Sequence, residues 1–212
     1  MTDRTRIRRL PEKSVDDVAV LHAILDGTRV AHVGFTDEDG APVVIPTGVA
    51  RDGDRLLLHG STASRLYRRL ASGVQACVAV TLLDGMVLAR SAFESSMHYR
   101  SAVVFGSAVE LTGDDKVAAL RAMSEAWLPG RWDTLRAPKG KELAATMVLA
   151  VPLDEWSVKV SDSPPDDPEE DLDAPVWAGV LPIVTSYGAP VAAPDLRGHP
   201  RFPVEAATWT IG

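Results

Sequence analysis

The sequence predicts a mainly β chain of the α+β class: a closed antiparallel barrel of six to seven strands with helices at its flanks. Three observations carry that expectation. From Arg29 onward apolar residues alternate with a period of two, and tight turn signals at Asp37-Glu38-Asp39-Gly40, Asp52-Gly53 and Asp84-Gly85 separate the runs. Helical spacing appears in only a few places, which do not alternate with strands as βαβ units require. Gly106, in the middle of an apolar run, marks the sharp bend that a barrel corner needs.

Residues 1–13 are a polar N-terminal arm with Arg4, Arg6, Arg8 and Arg9 close together, expected to be a solvated lead-in. Helical spacing runs from Ser14 to Asp26: Val15, Val18, Leu21 and Leu25 share a face, and Ser14 with Asp17 is close to a capping box. Residues 29–35 read as a strand, 42–50 as its hairpin partner and 55–59 as a third strand. Pro46-Thr47-Gly48 interrupts the second of these. Proline favours an edge or bulge and glycine a close backbone approach, so the strand is expected to open there.

Residues 64–71 return to helical spacing. An apolar strand follows at 74–83, with Cys77 as a small buried hydrophobe. Asp84-Gly85 predicts a hairpin with 86–93 as the returning strand, and 99–111 is a long valine-rich strand. A further helix starts at Gly113 and reaches Trp127, with Ala118, Leu120, Met123 and Trp127 on its buried side. Residues 128–141 form a loop that mixes Arg131, Arg136, Lys139 and Lys141 with Trp132; it either holds a phosphate or flat ring, or is a solvated loop packed by Trp132. Residues 146–160 are the last clear strand, bent at Pro152-Leu153.

Residues 14–161 therefore hold the barrel. Residues 162–173 carry seven acidic residues and three prolines; such a segment cannot bury enough apolar surface to fold alone and reads as a linker. Residues 174–212 form an extension whose start is too apolar for a free tail, with Trp177 as the anchor onto the barrel or a second subunit. Its end, through Phe202 and Trp209, reads as irregular.

Composition narrows the function classes. Hydrophobic residues at 46% and charged residues at 24% are those of an ordinary globular chain. A net charge of −7 argues against nucleic acid as a partner. One cysteine allows no internal disulfide, no apolar run approaches membrane-spanning length, and the N-terminus lacks a secretory core, so a cytoplasmic protein is expected. The sequence contains no GxGxxG, Walker, CxxC or HExxH pattern.

The richest chemistry lies at residues 55–70, a short strand, a polar turn and a helix start. Gly60 lets a ligand approach the backbone, Ser61 or Thr62 caps the helix, and Arg65 offers a forked donor that matches phosphate oxygens. His59 beside them titrates near neutral pH.

This segment, His59-Gly60-Ser61 with Ser64-Arg65, resembles that of the pyridoxamine 5′-phosphate oxidase-like flavoproteins, as does Tyr99-Arg100-Ser101-Ala102-Val103-Val104-Phe105-Gly106. Ala89 to Phe93, His98 to Ser101, Pro129 to Trp132 and Pro175 to Gly179 are similar to the nitroimidazole-resistance branch of that family. The order of these segments along residues 8–182 carries the resemblance. It implies a split β-barrel homodimer with FMN in two clefts between the subunits. Ser64 and Arg65 then bind the FMN phosphate, where Leu66 replaces the family's lysine. Pro46, Thr47, Gly48 and Val49 line the flavin edge, and His59, Gly60 and Ser61 close the turn. Tyr99, Arg100 and Ser101 reach across from the other subunit, and Trp177 completes the cofactor set.

The resemblance further implies an FMN-dependent oxidoreductase that passes electrons from a nicotinamide cofactor to a small aromatic, nitro or quinone-like acceptor. His59 is the candidate catalytic residue, donating a proton or holding an acidic substrate. The alternatives are a non-catalytic flavin- or haem-binding module, with His59 or His98 as axial ligand, and a deazaflavin-dependent reductase.

Overall fold

The computed structural model describes residues 2–198 and 210–211. In chain order its elements are β1 (Ser14–Val15), α1 (Val18–Asp26), β2 (Val30–Thr36), β3 (Pro42–Asp52), β4 (Arg55–Ser61), α2 (Arg65–Ala71), β5 (Gln75–Leu88), β6 (Ser96–Ser107), β7 (Val109–Glu110), α3 (Gly113–Trp127), α4 (Gly140–Ala145), β8 (Thr146–Pro152), β9 (Glu155–Ser161) and β10 (Gly179–Pro182). They make one antiparallel sheet in the order β1-β9-β6-β5-β2-β3-β4-β8-β7, with β10 added to β5. Alternation decides which face is buried. On the inner face Ala31, Val33, Leu56, Leu58, Val78, Val104, Leu149 and Val151 meet Leu21, Ile24 and Leu25 of α1. Each of the valine, leucine and isoleucine side chains contributes roughly 1.5–3 kcal/mol by leaving water. On the outer face α3 lays Ala119 and Met123 against Ala50, Leu57 and Val148.

The barrel is split, and β3 splits it. Its residues Pro42 to Gly48 pair with β2, whereas Val49 to Asp52 pair with β4. Beyond Val49↔Leu58 the strands part, and His59, Gly60 and Ser61 pair only with β8. The expected opening at Pro46-Thr47-Gly48 is therefore the point where β3 leaves one neighbour for the other.

Several expected elements take a different form. The sheet has ten strands, not six or seven, because short β1, β7 and β10 join it and residues 146–160 are two strands folded at residues 153–154. Ser14 lies in β1; the cap of α1 is Asp17, whose carboxylate accepts the Ala19 N–H at 2.7 Å. Asp84-Gly85 is no hairpin. It is a bulge inside the continuous β5, where the register to β6 shifts between Leu83 and Gly85. The bulge is held from both sides: Arg100 grips the Asp84 carboxylate at 2.8 and 2.9 Å, and the Ile183 N–H donates to the Asp84 carbonyl at 2.9 Å.

The N-terminal arm is docked rather than solvated. Thr5 is buried, Thr2 and Arg4 bind the Glu155 carboxylate, and the Arg4 guanidinium lies 5.2 Å from the Phe105 ring centre. The acidic segment at 162–173 is pinned at Asp167, whose side chain is 1% exposed and bound by Arg90. The extension adds β10 to the barrel's own β5, pairing Gly179 with Leu88 and Pro182 with Gly85. Phe202 and Trp209 lie outside the described residues. Among the described residues no helix is long and apolar enough to cross a membrane.

Candidate site at the split between β3 and β4

Two strands that part leave backbone groups without ladder partners, and such groups need others. Tyr67 of α2 supplies them. Its ring is 4% exposed, its hydroxyl donates to the His59 carbonyl, and it bonds the Thr47 hydroxyl at 2.9 Å. A phenol has one proton, so Thr47 must be the donor in the second bond. Burial pushes the Tyr67 hydroxyl above its ordinary pKa, against a smaller opposing effect of Thr47. Gly60 is what admits the ring: a Cβ there would stand 2.7 Å from two of its carbons.

Trp127, at the end of α3, closes the other side. Its indole N–H donates to the Val49 carbonyl at 3.0 Å, and its ring lies where a Cβ on Gly48 would come within 2.7 Å. The same ring packs at 5.6 Å, tilted by 50°, against the His59 imidazole. His59 Nδ1 is buried with no hydrogen-bond partner, and burial lowers the His59 pKa, so the ring is neutral at neutral pH. The split thus holds an imidazole with an unused buried nitrogen, walled by an indole, while the Trp127 and Tyr67 rings fill the space beside Gly48 and Gly60.

Thr47, Gly48, Val49, His59 and Gly60 are accordingly brought together, with Pro46 exposed at the rim and Ser61 and Ser64 at the turn beyond. Ser64 precedes α2 without making a side-chain cap bond. Arg65 is 58% exposed, but its Nη2 is ion-paired to Asp37 in the β2–β3 turn. Leu66 is buried in the core and offers the turn no charge. Arg69 is committed elsewhere, with Nε donating to the Thr36 carbonyl at 2.9 Å.

Tyr99, Arg100 and Ser101 are not part of this group. They lie on β6, three strand spacings from β3, or roughly 14 Å across the sheet. Two donors of the Arg100 fork are taken by Asp84, which raises the Arg100 pKa. Trp177 is 66% exposed and folds back over Gly179 at the start of β10. His98 Nε2–H donates to the Ser163 carbonyl at 2.8 Å, away from His59. Between the two groups the outer face of β2 and β3 is bare, with Val30 at 51% and Val44 at 65% exposure beside exposed His32 and Pro46.

Sequence reasoning missed Tyr67, Trp127 as a site wall, and Asp37. The signal for the first two was present: strand glycines at 48 and 60 mark places where something large approaches the backbone.

A barrel split along one seam, with an aromatic-walled imidazole in the seam and an anion-matching turn at its end, defines a cofactor-binding split-barrel protein. The family model described as pyridoxamine 5′-phosphate oxidase matches residues 17–160, and the chain belongs to that family. Among solved structures it is similar to the FAD and haem binding protein from Mycobacterium smegmatis, at 47% identity over 90% of this chain and 94% of that one, with a TM-score of 0.87. It is also similar to the flavocytochrome Anf3 from Azotobacter vinelandii, at 40% identity over 96% and 94%, with a TM-score of 0.85. A protein assigned to 5-nitroimidazole antibiotic resistance from Bacteroides thetaiotaomicron shares the fold at 22% identity and a TM-score of 0.58, over 69% and 86%. No curated protein matches the chain.

Proposed function

We propose that this protein is a flavin- and haem-binding redox protein that works as a homodimer. Two observations support the reading: the chain matches a FAD and haem binding protein at 47% identity over nine-tenths of its length, and its own split holds an imidazole with an unused buried nitrogen. The residues present fit both groups. His59 is neutral, as a haem ligand has to be, and Trp127 gives it the apolar wall that a porphyrin edge needs. The backbone of Pro46, Thr47, Gly48 and Val49 supports the flavin edge, and Ser61, Ser64 and Arg65 face its phosphate. A flavin bound there supplies hydride and single-electron chemistry; the chain positions it, excludes water with Trp127 and Tyr67, and keeps His59 unprotonated.

The flavin in this reading is FAD, in place of the FMN that the resemblance implied. Leu66 is in the core and Arg65 is shared with Asp37, so a terminal phosphate finds little undivided positive charge. A second copy completes the cleft: its Tyr99 and Ser101 belong to a group too far away in one subunit, and the bare face bearing Val30 and Val44 would be covered. A nicotinamide cofactor is the electron source, and haem or a small quinone-like molecule accepts.

Spectra of the protein purified from haem-supplemented cells test the proposal. A Soret band, flavin absorbance and released FAD are expected; His59→Ala should lose the Soret band and keep the flavin, whereas His98→Ala keeps both. Protein that takes up neither flavin nor haem, or that sediments as a monomer when loaded, refutes the reading.

A further inference from the structure

The β2–β3 turn places a carboxylate beside the arginine that the proposed flavin phosphate would meet. Gly40, at φ 83°, lets the turn close, with the Gly40 N–H donating to the Asp37 carbonyl at 3.1 Å and the Asp37 N–H to the Ala41 carbonyl at 2.9 Å. This fixes Asp37, whose side chain is 17% exposed, against Arg65 Nη2. Arg69 adds a donor to the Asp37 carbonyl, 3.4 Å away. Burial pushes the Asp37 carboxyl up, but the Glu38 N–H, Arg65 and Arg69 together hold it below its ordinary value, so it is charged at neutral pH. No hydrogen bond inside the described residues takes Nε or Nη1 of Arg65.

We infer that Asp37 is a specificity-determining residue that selects a flavin with a pyrophosphate over one with a terminal phosphate. The inference rests on the flavin reading above. A phosphate monoester carries about −1.5 to −2 charge near neutral pH. Each phosphate of a dinucleotide bridge carries a single negative charge. An arginine already half-neutralised by a fixed carboxylate offsets one negative charge better than two, and the carboxylate repels the second directly. Leu66 sharpens the effect because no lysine side chain is present to restore the balance. Both forked edges of the Arg65 guanidinium include Nη2, which Asp37 takes, so a singly charged phosphate is met by single contacts from Nε or Nη1.

The test is competitive: the full chain is stripped of flavin and titrated separately with FAD and FMN, following flavin fluorescence. In wild type, FAD binds more tightly. Asp37→Asn should shift the ratio of dissociation constants toward FMN by about fivefold, the scale of one exposed charge pair, and the shift should shrink in high salt. Glu38→Gln removes the same charge from the neighbouring exposed position and should leave the ratio unchanged. Asp37→Ser, which retains a hydroxyl acceptor for the Glu38 N–H, serves where the amide variant does not fold. An unmoved ratio in folded Asp37 variants, or an equal shift in Glu38→Gln, overturns the assignment while leaving flavin binding intact. Wild-type protein that binds neither flavin overturns the flavin reading itself.

Discussion

Gly60→Ala tests the mechanics of the split. An added Cβ would overlap Tyr67 Cε2 and stand 2.7 Å from Cδ2 and Cζ, whereas ordinary contact begins near 3.4 Å. Tyr67 is enclosed and tied at its hydroxyl, so the ring cannot swing away without leaving the His59 carbonyl and Thr47. Overpacking of this kind costs about 1–3 kcal/mol, and each weakened hydrogen bond adds about 0.5–1.5 kcal/mol. The expected loss is about 2–4 kcal/mol, or roughly 5–15 °C in Tm for a chain of this size. Urea unfolding of stripped protein measures it, and a double-mutant cycle assigns it. In a Tyr67→Leu background the alanine methyl meets a smaller, unbonded side chain and should cost less than about 1 kcal/mol. Should Gly60→Ala unfold within about 0.5 kcal/mol of wild type, or cost the same in both backgrounds, Tyr67 is not the wedge that shapes the seam.

Trp127→Phe deletes the N–H donor to the Val49 carbonyl and part of the wall over Gly48 and His59; a loss of about 1–3 kcal/mol is expected, with the His59 pKa, followed by NMR, rising toward its ordinary value. Burial holds the His59 pKa below that of the unfolded chain. The unfolded state therefore binds its proton first as pH falls below about 6.5, and stability declines from there until the native ring protonates too. His59→Gln should remove that slope from a pH series of urea midpoints. Asp167→Asn leaves the Arg90 guanidinium without its carboxylate; the expected loss of about 2–3 kcal/mol is local, so hydrogen exchange and proteolysis should rise across residues 162–182 while the barrel stays protected.

Local chemistry made much of this chain readable. Period-two alternation located the strand regions, because one buried face imposes that period whatever the neighbours are, but it divided β5 in two and merged β8 with β9. Helix α3 was readable from the apolar spacing that ends at Trp127. The opening at Pro46-Thr47-Gly48 was readable because proline and glycine have few other uses inside a strand. What misled was equally local. Asp84-Gly85 has the composition of a hairpin turn, and only the Arg100 fork and β10, arriving from residues far along the chain, make it a bulge within one strand. The polar arm at 1–13 looked solvated because its partner, Glu155, lies at the opposite end of the barrel sequence.

The sequence by itself determined the fold class, the boundaries of β2, β3 and β4 to within a few residues, and the cluster of residues near the seam, since each depends on periodicity or on the conformational range of one residue. Tertiary structure alone decided which groups are free to act. Arg65 and Arg100 read identically in sequence as available donors, but carboxylates at Asp37 and Asp84 occupy them. His59 is distinguished from the other described imidazoles by the Trp127 wall beside its buried Nδ1; His22 Nε2 is also buried without a hydrogen bond, but no described aromatic ring packs on it. Pairing and burial are properties of surroundings gathered from distant segments, and a linear pattern carries no term for them.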